Sequence, residues 1–263
     1  MKVTVSNRTF SVNQLYKKFG DLFSVFFRVI VAFKSPFSLM YFYIRMKKPA
    51  KDYYTLRNGM KIYLSSNPHD SVTVAVIFGK NEYGKIPEHG TIIDIGANIG
   101  VFSLYAINNS AKQVYSFEPN PEAYQVLKRN IETNNLENNV RVFNLAVSDK
   151  DNVSMYIPAQ SSPYNSSSNE PEPKQVECKT ISLDTLIDDQ DIDIIDLIKI
   201  DCEGCEYKVL YFLSKSTLNK VKHIRLEHHV SRRKEELITH LKDVQFEVIH
   251  DKNNILWFKN SSR

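Results

Sequence analysis

The segment Thr91-Ile92-Ile93-Asp94-Ile95-Gly96-Ala97-Asn98-Ile99-Gly100 constrains this 263-residue chain more than any other. A short apolar run ends at a carboxylate, turns on glycine and leads into residues 99–108, whose apolar side chains recur at helical spacing. A buried strand delivered straight into a helix is the opening of a βαβ unit. Gly96 and Gly100 carry no side chain, so the backbone can approach a ligand and the helix can sit close to its strand. The alternation then continues. Strand-like runs fall at Gln113–Phe117, Val140–Val147, Ile194–Ile200, Val221–Leu226, Phe246–Ile249 and Ile255–Phe258, with helical runs near 121–134, 204–213 and 232–242. The expected fold is α/β, a doubly wound, mostly parallel sheet. Only His250–Asn254 separates the last two strands, which are therefore expected to form an antiparallel hairpin at one edge.

The region before Thr91 reads differently. Residues 1–50 hold nine Lys and Arg against Asp21, a net charge of +8, so a chain of net +4 leaves −4 for the remainder. A uniformly basic nucleic-acid binder does not distribute charge this way. Arg28, Lys34 and Pro36 interrupt the apolar stretch Leu22–Ile44, which is expected to form two short amphipathic helices, the second capped by Ser35 with Pro36 in its first turn. Two readings stand for this leader, a helical cap on the α/β domain or a basic element on an anionic membrane surface. The rest, 51–263, is read as that α/β domain. Within it, Tyr53–Leu56 and Lys61–Leu64 flank Asn58-Gly59 and predict a β-hairpin, and Ser71–Ile77 reads as a further strand. Residues 158–174, with four Pro, five Ser and two Asn, read as an inserted loop. Three cysteines make no disulfide framework, and the N-terminus does not resemble a cleavable signal, so a cytoplasmic protein is expected, with peripheral contact to the inner face of the membrane on the second reading of the leader.

The glycine turn selects a ligand class. Gly-x-Asn-x-Gly differs from the Gly-x-Gly-x-x-Gly of pyrophosphate binders, and the turn begins with Asp94, a carboxylate suited to an ammonium group such as methionine's α-amino group. The next strand ends Phe117-Glu118-Pro119, with Glu118 placed 22 residues after Gly96. A carboxylate at that tip can accept both hydroxyls of a ribose.

These motifs resemble the FkbM family of class I methyltransferases. The likeness runs from about Tyr53 to Phe258 through Asp94-x-Gly96-x-Asn98-x-Gly100, Phe117-Glu118-Pro119, Asn144-x-Ala146-x-Ser148, Ser182-Leu183-Asp184, Lys199-Ile200-Asp201-Cys202-Glu203-Gly204-Cys205-Glu206 and Leu226-Glu227. The resemblance implies a Rossmann-like, seven-stranded sheet with an antiparallel edge strand, S-adenosylmethionine as cofactor, and O-methylation, often of a sugar hydroxyl. In that frame Asp94, Gly96, Asn98, Gly100, Glu118, Asn144, Ala146 and Ser148 line the cofactor, the last three beside the adenine.

Asp201, Glu203 and Glu227 follow strands at the carboxyl edge of the sheet, where such folds place ligands. Asp201 is the first candidate to take a hydroxyl proton, with Glu203, Glu227 and His228 behind it. Asp201 with Glu227 can alternatively hold Mg²⁺ through oxygen ligands. Glu206 reads as a solvated helix face, Cys202 and Cys205 as small fillers, and the His228-His229 pair as surface or satisfied core. A carbohydrate or small-molecule acceptor is expected and a nucleic acid is not: Asp201-Cys202-Glu203-Gly204 lacks the proline-aromatic signature of base methylation, and the catalytic part is net acidic. The rival readings are a nucleic-acid methyltransferase and a cofactor-binding scaffold without turnover.

Overall fold

A computed structural model of the chain describes residues 2–5, 8–11, 23–158, 175–229 and 233–263. The chain divides into two compact units, Met1–Glu82 and Tyr83–Arg263.

The first unit begins with the antiparallel pair β1 (Lys2–Val5) and β2 (Arg8–Ser11). Helix α1 covers residues 23–32, and α2 (Pro36–Arg45) follows with Pro36 at its start; Ser35 occupies the cap position without a side-chain cap bond. The expected hairpin is present as β3 (Tyr53–Thr55) and β4 (Lys61–Tyr63), with Gly59 at φ +97° in its turn. The strand expected at Ser71–Ile77 is instead helix α3 (Asp70–Ala75), which widens into a π-turn over Val76–Lys80. Asp70 accounts for the difference. Its carboxylate accepts from the Ser65 amide and hydroxyl at 2.6 and 2.8 Å and fixes the helix start, overriding the β propensity of Val72, Thr73 and Val74.

The second unit is built on seven strands: β5 (Thr91–Ile95), β6 (Gln113–Phe117), β7 (Val140–Phe143), β11 (Leu197–Ile200), β12 (His223–Glu227), β13 (Phe246–Lys252) and β14 (Ile255–Asn260). Their order is β13-β14-β12-β11-β5-β6-β7. The first five in chain order run parallel, while β14 is antiparallel to both neighbours. The terminal hairpin is thus as expected, but the antiparallel strand lies one position in from the edge. Asn253 and Asn254 make its turn, both at positive φ. A separate three-stranded sheet has the order β8 (Leu145–Val147), β10 (Gln175–Ile181), β9 (Ser154–Pro158). The single strand expected over Val140–Val147 is therefore divided at Asn144, with its halves in different sheets. Most of the proline- and serine-rich loop lies outside the described residues.

Helices α4 (Val101–Asn108), α5 (Pro121–Thr133), α7 (Glu206–Tyr211) and α9 (Lys234–Asp243) match the expected helical runs. Helices α6 (Leu183–Asp189) and α8 (Lys215–Lys220) were not expected; each is started by a serine, Ser182 or Ser214, whose hydroxyl accepts a backbone N–H three residues on.

Register positions the site. Leu226, Ile200, Ile95, Phe117 and Phe143 pair in one continuous row across β12, β11, β5, β6 and β7. Asp201, Gly96, Glu118 and Asn144 consequently leave the sheet at one level, and Glu227, the last residue of β12, lies at the same level. Chain progression reverses between β5 and β11, the switch point at which open α/β sheets bind ligands.

The two central strands carry one charge each, Asp94 and Lys199, which face each other. The Lys199 ammonium lies 3.0 Å from Asp94 Oδ1 and donates to the Gly96 carbonyl at 2.8 Å, with both side chains almost wholly buried. Burial pulls the Lys199 pKa down, but Asp94, with Asp201 and Glu118 further off, more than offsets this and holds it above its ordinary value. Lys199→Met is expected to cost about 3–5 kcal/mol by stranding the Asp94 charge. Adding Asp94→Leu should recover most of that loss. Urea unfolding of the parent, the single and the double variant checks this; a single variant as stable as the parent would contradict it.

Candidate functional site

Asp94 is buried near the end of β5. One of its oxygens pairs with Lys199 and the other accepts from the Ser103 hydroxyl at 2.6 Å, and the residue has no exposed surface. The carboxylate expected to meet an ammonium group is thus also paired with an internal cation. Gly96, at φ +73°, makes room for protein as well as for a ligand, because a Cβ there would lie 1.9 Å from the Asp201 carbonyl oxygen. The turns following β5 and β11 cross backbone to backbone at this point. Gly100, at φ +86°, starts α4 with Leu127 packed where a Cβ would stand.

Glu118 ties together the turns after β5 and β6. Its oxygens accept from the Asn98 amide at 2.7 Å, with Asn98 itself at φ +50°, and from the Asn120 amide at 2.8 Å. Asn120 in turn caps α5, accepting from the amides of Glu122 and Ala123. Burial raises the Glu118 pKa to about 7 against the lowering effect of these two amides. Asn144 donates its amide to the carbonyls of Glu118 and Pro119 at 2.9 and 3.1 Å. That bond pair turns the chain out of the main sheet and explains the divided strand. Ala146 lies buried in β8, and Ser148 donates to Asp149 at 2.9 Å.

On the other side of the switch point, Asp201 accepts from the Tyr83 hydroxyl at 3.0 Å. Tyr83 is held in turn: Arg225 donates to its carbonyl and to that of Lys85, and the guanidinium lies 4.9 Å from the Trp257 ring centre. Glu203 is exposed at φ +53° in the turn between Cys202 and Cys205. These two cysteines form a disulfide, not a pair of small fillers. Glu206, expected on a solvated face, has no exposed surface, and its carboxylate lies 2.7 Å from His229 Nδ1. The other ring nitrogen of His229 lies 3.9 Å from Asp201 Oδ1. The Glu206 hydrogen bond raises the His229 pKa to about 9, with the charges of Glu206, Asp201 and Glu227 acting the same way against partial burial. His228 is buried and its pKa is lowered by burial. Ligand atoms of Asp201, Glu227 and His229 lie within 4.8 Å of one another, a set able to hold a divalent cation.

Sequence reasoning missed Tyr83, Glu206, Lys199 and the cationic His229. A lysine inside the otherwise apolar run Leu197–Ile200 was a legible signal of a buried partner. Tyr83 left no signal, since only the fold brings it to Asp201.

The model of the methyltransferase FkbM domain matches residues 94–251, more than half the chain. The chain belongs to the FkbM methyltransferase family. The match begins at Asp94 and includes every residue of the in-register row. This FkbM chain is 28% identical over 180 residues to methyltransferase sdnD of Sordaria araneosa, a match covering 56% of this chain and 69% of that protein. It is 27% identical over 188 residues to the AMB antimetabolite synthetase AmbE of Pseudomonas aeruginosa, covering 56% of this chain but 9% of AmbE. Among solved structures, a protein of the NADB-Rossmann superfamily from Streptococcus agalactiae is similar at 15% identity and a TM-score of 0.46, covering 69% of this chain and 66% of that one.

The crossing of the two turns yields a test. Gly96→Ala is expected to destabilise the FkbM domain by about 2–3 kcal/mol, combining a left-handed backbone with a blocked Cβ position. For a unit of this size that is a fall of roughly 5–10 °C in thermal midpoint. Differential scanning calorimetry reads it directly, and an unchanged midpoint would rule out the close crossing.

Proposed function

We propose that this S-adenosylmethionine-dependent methyltransferase methylates a hydroxyl group on a sugar or glycan-type acceptor. The observation that carries the reading is the row of chain exits, which sets Glu118 on one side of the Gly96 turn and Asp201 with Glu227 on the other. The residues fit the cofactor. Glu118 is a buried carboxylate in which each oxygen uses one backbone N–H and retains a second acceptor site for a ribose hydroxyl. Gly96, Asn98 and Gly100 shape the backbone beside it, and Asn144, Ala146 and Ser148 stand just beyond, where the adenine belongs in this reading. When bound, S-adenosylmethionine supplies an electrophilic methyl group on a sulfonium.

The protein's own work is to orient an acceptor hydroxyl and take its proton. Glu206 holds His229 through Nδ1 and favours its protonated form, and His228 is buried, so a carboxylate is the better acceptor for that proton. Asp201 is the best placed, oriented by the Tyr83 hydroxyl on one oxygen and faced by the His229 imidazolium on the other. Glu227 is the second candidate. Glu203, exposed in the neighbouring turn, is suited to contacting the acceptor. A second reading gives Asp201, Glu227 and His229 to a divalent cation such as Mg²⁺.

Three outcomes are expected. Calorimetric titration with S-adenosylhomocysteine should show Glu118→Ala weakening affinity by about 1.5–3 kcal/mol. The parent's affinity should rise as pH rises toward and through about 7, because only ionised Glu118 accepts from both ribose hydroxyls, and Glu118→Gln should flatten this dependence. The sign for folding is opposite: the raised pKa favours the folded state most below pH 4.5 and loses that contribution as pH rises through about 7. Asp201→Asn should lower kcat by roughly 10²–10⁴-fold while leaving S-adenosylhomocysteine affinity nearly unchanged. The acceptor is to be found by mass spectrometry of glycan and lipid pools with and without the gene, as a difference of one CH₂. Rescue of Asp201→Asn by added Mg²⁺ would favour the cation reading, and cofactor binding with no transfer to any pool would mark a scaffold.

A further inference from the structure

The two helices of the Met1–Glu82 unit are apolar on two faces. Val25 and Val29 close on Gly79, and Phe33 packs edge-on against Tyr54 and Phe78, which accounts for the inner face. On α1, Phe23, Phe27 and Val31 recur every four residues and are each more than half exposed. On α2, Phe37, Tyr41 and Ile44 repeat the arrangement, with Phe37 71% exposed. The ring centres of Phe26 and Phe37 are 5.9 Å apart, so the two helices meet at this surface. Contiguous rings of this kind are not left in water without a partner.

The charge around them identifies the partner. Residues 23–57 hold seven Lys and Arg against one acid, Asp52, and Lys34, Arg45, Lys47 and Lys48 are exposed. A second copy of the chain would bring this positive charge against itself. A nucleic acid would neutralise the charge but leave the aliphatic and aromatic stripe in water. An anionic bilayer satisfies both, with rings in the acyl boundary and cations at the headgroups. Beside the helix junction, an open cleft lined by Ile30, Pro36 and Phe37 also has Lys34 and Arg57 among its lining residues. Among the described residues no helix is long and apolar enough to cross a membrane, so the contact is with the surface.

We propose that α1 and α2 form a docking surface for anionic phospholipid, the exposed stripe entering the interface and the flanking Lys and Arg engaging phosphate. This holds whatever the methyl acceptor is. The test is co-sedimentation of the full chain with vesicles of phosphatidylcholine alone or mixed with phosphatidylglycerol. Two double variants at exposed positions accompany it, Phe37→Ser with Tyr41→Ser and Lys47→Glu with Lys48→Glu. Binding is expected on the mixed vesicles, weakened by salt, and each double variant should reduce it by about tenfold or more. Absence of binding to the mixed vesicles, equal binding to both compositions, or unchanged binding by both variants would overturn the proposal. So would a self-associated chain that becomes monomeric on Phe37→Ser with Tyr41→Ser, since the face would then belong to a second copy.

Discussion

One buried ion pair organises the catalytic half of this chain. Strands β5 and β11 lie side by side at the centre of the sheet, with every face covered, and each carries a single charge. Neither charge is tolerable alone at that depth. Together they fix the lateral match of the strands, and the hydrogen bond from Lys199 to the Gly96 carbonyl extends the constraint into the turn where the strand ends. The ammonium also lies 5.6 Å and 5.8 Å from the ring centres of Tyr83 and Phe102, so two aromatic faces cover the pair. Gly96 and Asp201 are one residue beyond these strands.

The site divides into a rigid cradle and a charged rim. Glu118 knots the β5 and β6 turns through two backbone amides, and Asn144 binds the same corner to the start of the small sheet. Those bonds leave the backbone little freedom to shift on ligand entry, a preorganisation that favours affinity. Opposite, Asp201, Glu227, Glu206 and His229 place three carboxylates around one imidazolium. The buried Glu206 fixes the ring by its Nδ1 side, leaving the other nitrogen directed toward Asp201. Arg225 and Tyr83 fix Asp201 from the far side.

The periodicities in the sequence were enough for the strands of the seven-stranded sheet, the principal helices, the Tyr53–Tyr63 and C-terminal hairpins and the level at which the site residues lie. Each follows from a local rule: period-2 or continuous apolar runs, glycine and asparagine at positive φ, proline in the first helical turn. Where reading failed, a specific side-chain contact decided the outcome. Asp94 is paired with a lysine 105 residues away in the chain, and Glu206 is buried beside a histidine 23 residues on. Asn144 divided a run of uniform strand propensity because Glu118 and Pro119 offered it two carbonyls. The Ser71–Ile77 helix carries residues that favour a strand and is started by a carboxylate caught by Ser65. No pairing of side chains at such separations can be read from spacing alone.

The central claim is that the cofactor lies along the row of turns after β5, β6, β7 and β11. Amide hydrogen–deuterium exchange of the full chain, with and without S-adenosylhomocysteine, tests it segment by segment. The account predicts slowed exchange concentrated at residues 96–100, 118–120, 144–148 and 201–205, with the β13–β14 hairpin and helices α1 and α2 unchanged. Saturating ligand that leaves those four segments unprotected, or that protects a different part of the chain, would contradict it.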